Sequence, residues 1–228
     1  MSGLNAITSD ALYLPRELEF VCGMDWGHNQ PGCIGWAACL PNGRMHVLRE
    51  WKFTWLADED IADGYKKRTK ELGVRVRYVA GDPSMWIRDG RNATRGQSRA
   101  ETFQRAGMPM KKAENSREDG WSRLHSWLRV PMNDDGEVVG EPLLTIDETC
   151  RYLRRTIPAQ QSAKENADDV NTKGDDHGVD MLRYLVMSRP MPTVMREPEP
   201  PMNPMLAAFL AGQSASPVLG RQNVRRAG

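Results

Sequence analysis

Long apolar runs and net charge are both missing from this 228-residue chain. No stretch reaches the roughly 18 apolar residues that would span a bilayer. The start, Met1-Ser2-Gly3-Leu4-Asn5, also lacks the basic-then-apolar order of an export signal. A soluble, intracellular protein with no membrane partner is expected. The formal charge of +1 gives no molecule-wide field for nucleic acid, so any such contact must be local. Cysteine is scarce: Cys22, Cys33, Cys39 and Cys150 show no C-x-x-C spacing, and the first three sit in apolar, strand-like runs. This excludes a thiolate zinc site and predicts reduced, buried thiols. No internal repeat is visible, which excludes solenoids. What remains, at 39% hydrophobic content, suffices for one substantial core plus a tail.

The run from Glu19 to Gly27 reads as a buried strand ending in a carboxylate, Asp25, with Gly27 just beyond. An ionised carboxylate inside a strand is costly to desolvate. At the last strand residue it is expected to sit at the mouth of the fold. Strands are predicted at Cys33 to Leu40 and Met45 to Phe53, joined by the turn Pro41-Asn42-Gly43-Arg44, so the chain opens with three antiparallel strands. Asp58 offers an N-cap for a helix closed by Gly73, which leads into a strand at Val74 to Ala80. Further helices are expected at Ser98 to Ala106, Ser116 to Val130 and Thr145 to Ile157, with a short strand at Pro109 to Lys112 and a hairpin around Asn133-Asp134-Asp135-Gly136. Trp121 and Trp127 fall on the apolar stripe of their helix and read as core. Gln160 to Gly174 reads as a loop, and the last helix spans Asp175 to Met187 ahead of Pro190. The proline-rich remainder reads as disordered or partner-dependent. Residues 1–17 are thus an extension, 18–190 one α/β domain and 191–228 a tail.

Four acids stand out by position. Gly81-Asp82-Pro83-Ser84 repeats the strand-end carboxylate of Asp25, and the last helix carries Asp176, His177 and Asp180 three or four residues apart. Oxygen donors without cysteine favour Mg²⁺ or Mn²⁺ over zinc, and two such ions can serve an in-line phosphoryl displacement. Asp25, on the central strand, is the best placed to bridge them. Bland readings exist for each: a turn aspartate at Asp82, a helix-dipole acid at Asp176, a solvated histidine at His177. Between Met85 and Lys112 seven basic residues face two acids, and Arg88, Arg91, Arg95 and Arg99 are the candidate phosphate contacts.

Met24-Asp25-Trp26-Gly27, Gly81-Asp82-Pro83-Ser84 and Asp176-His177-Gly178-Val179-Asp180-Met181-Leu182-Arg183-Tyr184, in this order, resemble the nuclease domain of tailed-bacteriophage terminase large subunits. The resemblance covers roughly residues 18 to 188, and its last motif is the most specific. It implies a ribonuclease H-like fold: a central mixed sheet of three antiparallel strands followed by parallel strands, flanked by helices. It also implies a two-metal endonuclease cutting double-stranded viral DNA in the host cytoplasm, with Asp25, Asp82 and Asp180 as metal-binding acids, Asp176 as a further candidate ligand and His177 as a catalytic helper. A portal protein and a small terminase subunit would be partners. The chain has no G-x-x-x-x-G-K-[ST] loop, so ATP-driven translocation is not assigned to these residues. Another ribonuclease H-like nuclease, such as a Holliday-junction resolvase, would share the acids and differ in substrate. A non-catalytic module docking on DNA or a portal is the other alternative.

Overall fold

A computed structural model describes residues 18–27, 29–88, 96–114, 116–165 and 176–191. Six strands form one sheet: β1 (Glu19–Asp25), β2 (Gly32–Cys39), β3 (Met45–Phe53), β4 (Val76–Gly81), β5 (Met110–Lys112) and β6 (Leu144–Ile146), in the spatial order β5-β4-β1-β2-β3-β6. β1, β2 and β3 pair antiparallel, as their short connections require. β4 joins β1, β5 joins β4 and β6 joins β3, all in parallel. This is the expected mixed sheet.

Among the described residues five α-helices flank it: α1 (Asp58–Glu71), α2 (Arg99–Arg105), α3 (Arg117–Leu128), α4 (Arg151–Glu165) and α5 (His177–Met187). Both faces of the central strands are buried, which explains the unbroken apolar run of β1. Cys22, Met24, Ile34 and Trp36 pack with Ile61, Tyr65 and Phe103 of α1 and α2. Val21, Cys33, Ala37 and Val47 pack on the other side with Leu124, Trp127, Leu153 and Leu182 of α3, α4 and α5. Trp127 is core as expected, and Trp121 packs partly buried against the same cluster. All four cysteines are buried and unpaired by disulfide.

α5 lies directly on the sheet because two glycines leave room for it. Gly23 and Gly35 are register partners on β1 and β2. A Cβ on Gly23 would stand 2.5 Å from the Met181 carbonyl oxygen, and one on Gly35 2.6 Å from Met181 Cε. At Gly23 the contact is to backbone, so a side chain could not be added there without lifting the helix, whereas at Gly35 it is the end of the Met181 side chain that would have to move.

Several expectations are corrected. Thr145 belongs to β6, and the helix starts at Arg151, not Thr145, because the open edge at Met45–Val47 pairs with Leu144–Ile146. Glu50 of β3 then caps that helix, accepting from the backbone N–H groups of Tyr152 at 2.6 Å and Leu153 at 2.8 Å. The helix backbone continues through Glu165, into the predicted loop. The N-cap of α1 is Ala57, since the Asp58 carboxylate is taken by Trp26 Nε1 and Arg99 Nε. The hairpin expected at Asn133 to Gly136 is present, with Met132 bridging Val138 and Gly136 at φ 78°. Residues 1–17 and all of the tail but Met191 lie outside the described residues, as do 166–174 of the expected loop and Asp175 of the expected last helix. Among the described residues no helix is long and apolar enough to cross a membrane.

Candidate metal and nuclease site

Strand parity decides which way Asp25 points. Val21 and Gly23 face α5, so Asp25, at the next odd position, does too. Parallel pairing of β1 with β4 aligns Met24 with Gly81, which brings Asp25 and Asp82 out at the carboxyl ends of neighbouring strands. The Asp82 N–H donates to the Met24 carbonyl at 3.2 Å, tying the two exits together. In open α/β sheets such strand ends form the usual ligand crevice.

α5 supplies the rest. Its first residue, His177, covers the end of β1: Nδ1 lies 2.8 Å from Asp25 Oδ2 in a hydrogen bond. Asp25 is therefore 6% exposed and does not sit open at the mouth of the fold as its strand-end position suggested. Asp180, one turn on, is not bonded to His177. Its Oδ1 accepts from Arg183 Nε at 2.9 Å, and Arg117 Nη2 of α3 stands 4.0 Å from Oδ2. Asp82 behaves partly as the turn aspartate it resembles, since Oδ1 accepts from the Ser84 N–H at 2.8 Å within the 3-10 turn Pro83–Trp86. Asp176 is the N-cap residue of α5 and makes no side-chain cap.

These side chains line one open cleft of about 1000 Å³, together with Tyr184, Asn29 and Gln30. The structure thus brings together Asp25, Asp82, Asp176, His177 and Asp180. Its electrostatics are strained in one direction. Burial pushes the Asp25 carboxyl up to about 6, and the charges of Asp180 and Asp82 add to the rise against the His177 hydrogen bond. Asp176 is raised as well, by burial first and by Asp180 second.

The cleft suits a hard divalent cation in kind: its acidic donors are oxygens, a cation would relieve the charge crowding on Asp25, and no cysteine lines it. Among the described residues, however, no three His, Cys, Asp or Glu side chains are already gathered for chelation. The carboxylates share a cleft but point to protein partners: His177, Arg183 and the Ser84 amide.

The arginine patch is only partly in view. Arg88 is exposed and paired with Glu101. Arg99 is committed inward, stacked 3.3 Å from the Trp26 ring centroid and bonded to Asp58 at 3.1 Å. Arg91 and Arg95 lie outside the described residues. Arg117 is a cleft cation that sequence reasoning did not single out, and Arg183 was read only as part of the last motif, without a role of its own. The three-residue step from Asp180 to Arg183 was the available signal for the second.

No protein-family model and no curated protein sequence matches the chain. Solved structures do. The large terminase of a thermophilic bacteriophage superposes with a TM-score of 0.55 at 19% identity, over 77% of this chain and 41% of that one. The nuclease domain of the phage P22 large terminase superposes with a TM-score of 0.54 at 16% identity, over 81% of this chain and 89% of that one. The chain therefore spans well under half the length of the full-length terminase it matches. With its sheet order, its glycine-seated helix and these two superpositions, the chain has the ribonuclease H-like fold of large-terminase nuclease domains.

Proposed function

We propose that this chain is a divalent-metal-dependent endonuclease acting on double-stranded DNA, as the nuclease part of a phage genome-packaging terminase. The observation that carries the reading is the meeting of Asp25, Asp82 and Asp180 in one cleft, delivered by two parallel strand ends and a helix seated across the sheet. Asp25, Asp82 and Asp180 would hold the ions, Mg²⁺ or Mn²⁺, with Asp176 as a further ligand. Bound there, a pair of such ions supplies an activated water and charge stabilisation for phosphodiester hydrolysis.

The chain's own groups have separable tasks. Asp25 holds His177 by Nδ1 and so fixes the ring. Proton exchange with water or phosphate in the cleft then falls to Nε2. Arg117, exposed at the rim, would meet phosphate oxygen, as would the exposed Arg88, beside Arg91 and Arg95 in sequence. Arg99 serves the patch indirectly, by pinning the loop after β1 to α1. A portal protein and a small terminase subunit are the assembly partners this reading implies, in a host cytoplasm.

A covalently closed duplex plasmid tests it. Nicking and linearisation are expected with Mn²⁺ or Mg²⁺ and none with chelator. A purified, folded protein that leaves the plasmid intact at every divalent-ion concentration would overturn the reading.

A further inference from the structure

Arg183 is among the largest fully buried side chains in the described structure, at 1% exposure. A guanidinium so placed is tolerated only against a counter-charge, and Asp180 Oδ1, at 2.9 Å from Nε, provides it. Its stem runs through a slot in α3: a Cβ on Gly120 would stand 2.7 Å from Arg183 Cγ and 2.8 Å from Cδ. Its guanidinium carbon lies 4.5 Å from the Tyr184 ring centroid. Backbone on one side, an aromatic ring on another and a carboxylate at the tip leave it little freedom.

The two oxygens of Asp180 are therefore unlike. Oδ1 has a buried partner held by two helices, whereas Oδ2 faces Arg117, whose side chain is 66% exposed at 4.0 Å. Resting on the nuclease reading above, we infer that Arg183 is a positioning residue of the site. It fixes the plane of the Asp180 carboxylate so that Oδ2 is the oxygen offered to a divalent cation, and Gly120 is the slot that keeps it there. Metal affinity is thereby coupled to how α3 packs on α5. Gly120 does not line the cleft, and the nearest atoms a Cβ there would meet all belong to Arg183.

The test is Mn²⁺ binding by calorimetry to the full chain, for wild type, Arg183→Gln, Arg183→Lys and Gly120→Ala, with thermal unfolding and plasmid nicking alongside. Alanine is a better helix former than glycine, so a loss in Gly120→Ala is not a loss of helix propensity. Arg183→Gln is expected to weaken Mn²⁺ binding roughly 10- to 100-fold and Gly120→Ala roughly 10-fold, the range for residues that orient a ligand. The Mn²⁺ concentration for half-maximal nicking should rise in parallel, while affinity for labelled duplex in chelator stays unchanged. Arg183→Lys should recover only part of the loss, because an ammonium keeps the charge without the planar fork. Should Arg183→Gln not fold, Gly120→Ala decides. Folded variants that bind Mn²⁺ as wild type does, beside an active wild type, would overturn the positioning role alone. A wild type that neither binds Mn²⁺ nor nicks would overturn the nuclease reading and this inference with it.

Discussion

At Asp25 burial raises the carboxyl from the usual 3.8 to about 6, and the two neighbouring acids outweigh nothing but add to it, while His177 pulls it down. An acid whose folded value lies above its unfolded one disfavours the fold when ionised. The metal-free protein should therefore gain stability as pH falls through about 6 towards 4, on the order of 1 kcal/mol by pH 5 from this group. Thermal unfolding in chelator at pH 8 and pH 5 measures it. Asp25→Asn should raise the melting temperature at pH 8 and flatten the profile. An unchanged profile would contradict the assigned strain. His177→Ala should cut nicking roughly 10²- to 10⁴-fold, the range for a positioned proton-transfer group, and lower Mn²⁺ affinity less than Asp180→Asn does. Wild-type nicking by His177→Ala would reduce the histidine to a cover over Asp25. Of this residue-level picture, the strand-end acids were legible in the sequence because turns and alternation place them. The partner of His177 was not, because it lies 152 positions away and depends on how α5 is seated.

Seating α5 is a property of elements rather than of any one side chain. Gly23 and Gly35 face the same helix, and the contact at Gly23 is to backbone, which cannot rotate away. Gly23→Ala should destabilise the protein by about 1 to 3 kcal/mol, as overpacking does, and weaken Mn²⁺ binding by displacing His177 and Asp180 from Asp25. Denaturant unfolding and calorimetry check the two effects, and a stable variant with native metal affinity would contradict the packing account. Gly178 admits α4: a Cβ there would stand 2.7 Å from Tyr152 Cε1. Gly178→Leu should impair nicking through stability first. Helix periodicity revealed α1, α3 and α5, yet β6 escaped it. Three residues are too few to show alternation, and its pairing with Met45–Val47 is non-local.

For the whole molecule, the antiparallel opening was readable from its short connections and the parallel additions from the family resemblance, and the six-strand order completes it. What the sequence could not supply is the present state of the cleft, where Asp25, Asp82 and Asp180 each have a protein partner; no pattern of spacings reveals Arg183 under Gly120. A cation that binds only the folded chain must raise its stability, by about 2.7 kcal/mol at 100 times the dissociation constant. Mn²⁺ should therefore raise the melting temperature of the wild type and leave that of Asp25→Asn nearly still. Equal shifts in both would place the ion elsewhere.

The central claim is that acids from β1, β4 and α5 form one hydrolytic site. Plasmid nicking in Mn²⁺ by wild type, Asp25→Asn, Asp82→Asn and Asp180→Asn, each shown to be folded by circular dichroism, tests it most directly. The account predicts nicking by the wild type and loss in all three variants, by roughly 10³-fold or more, since each removes a ligand of the metal-dependent step. A folded Asp25→Asn protein that nicks at the wild-type rate would contradict it.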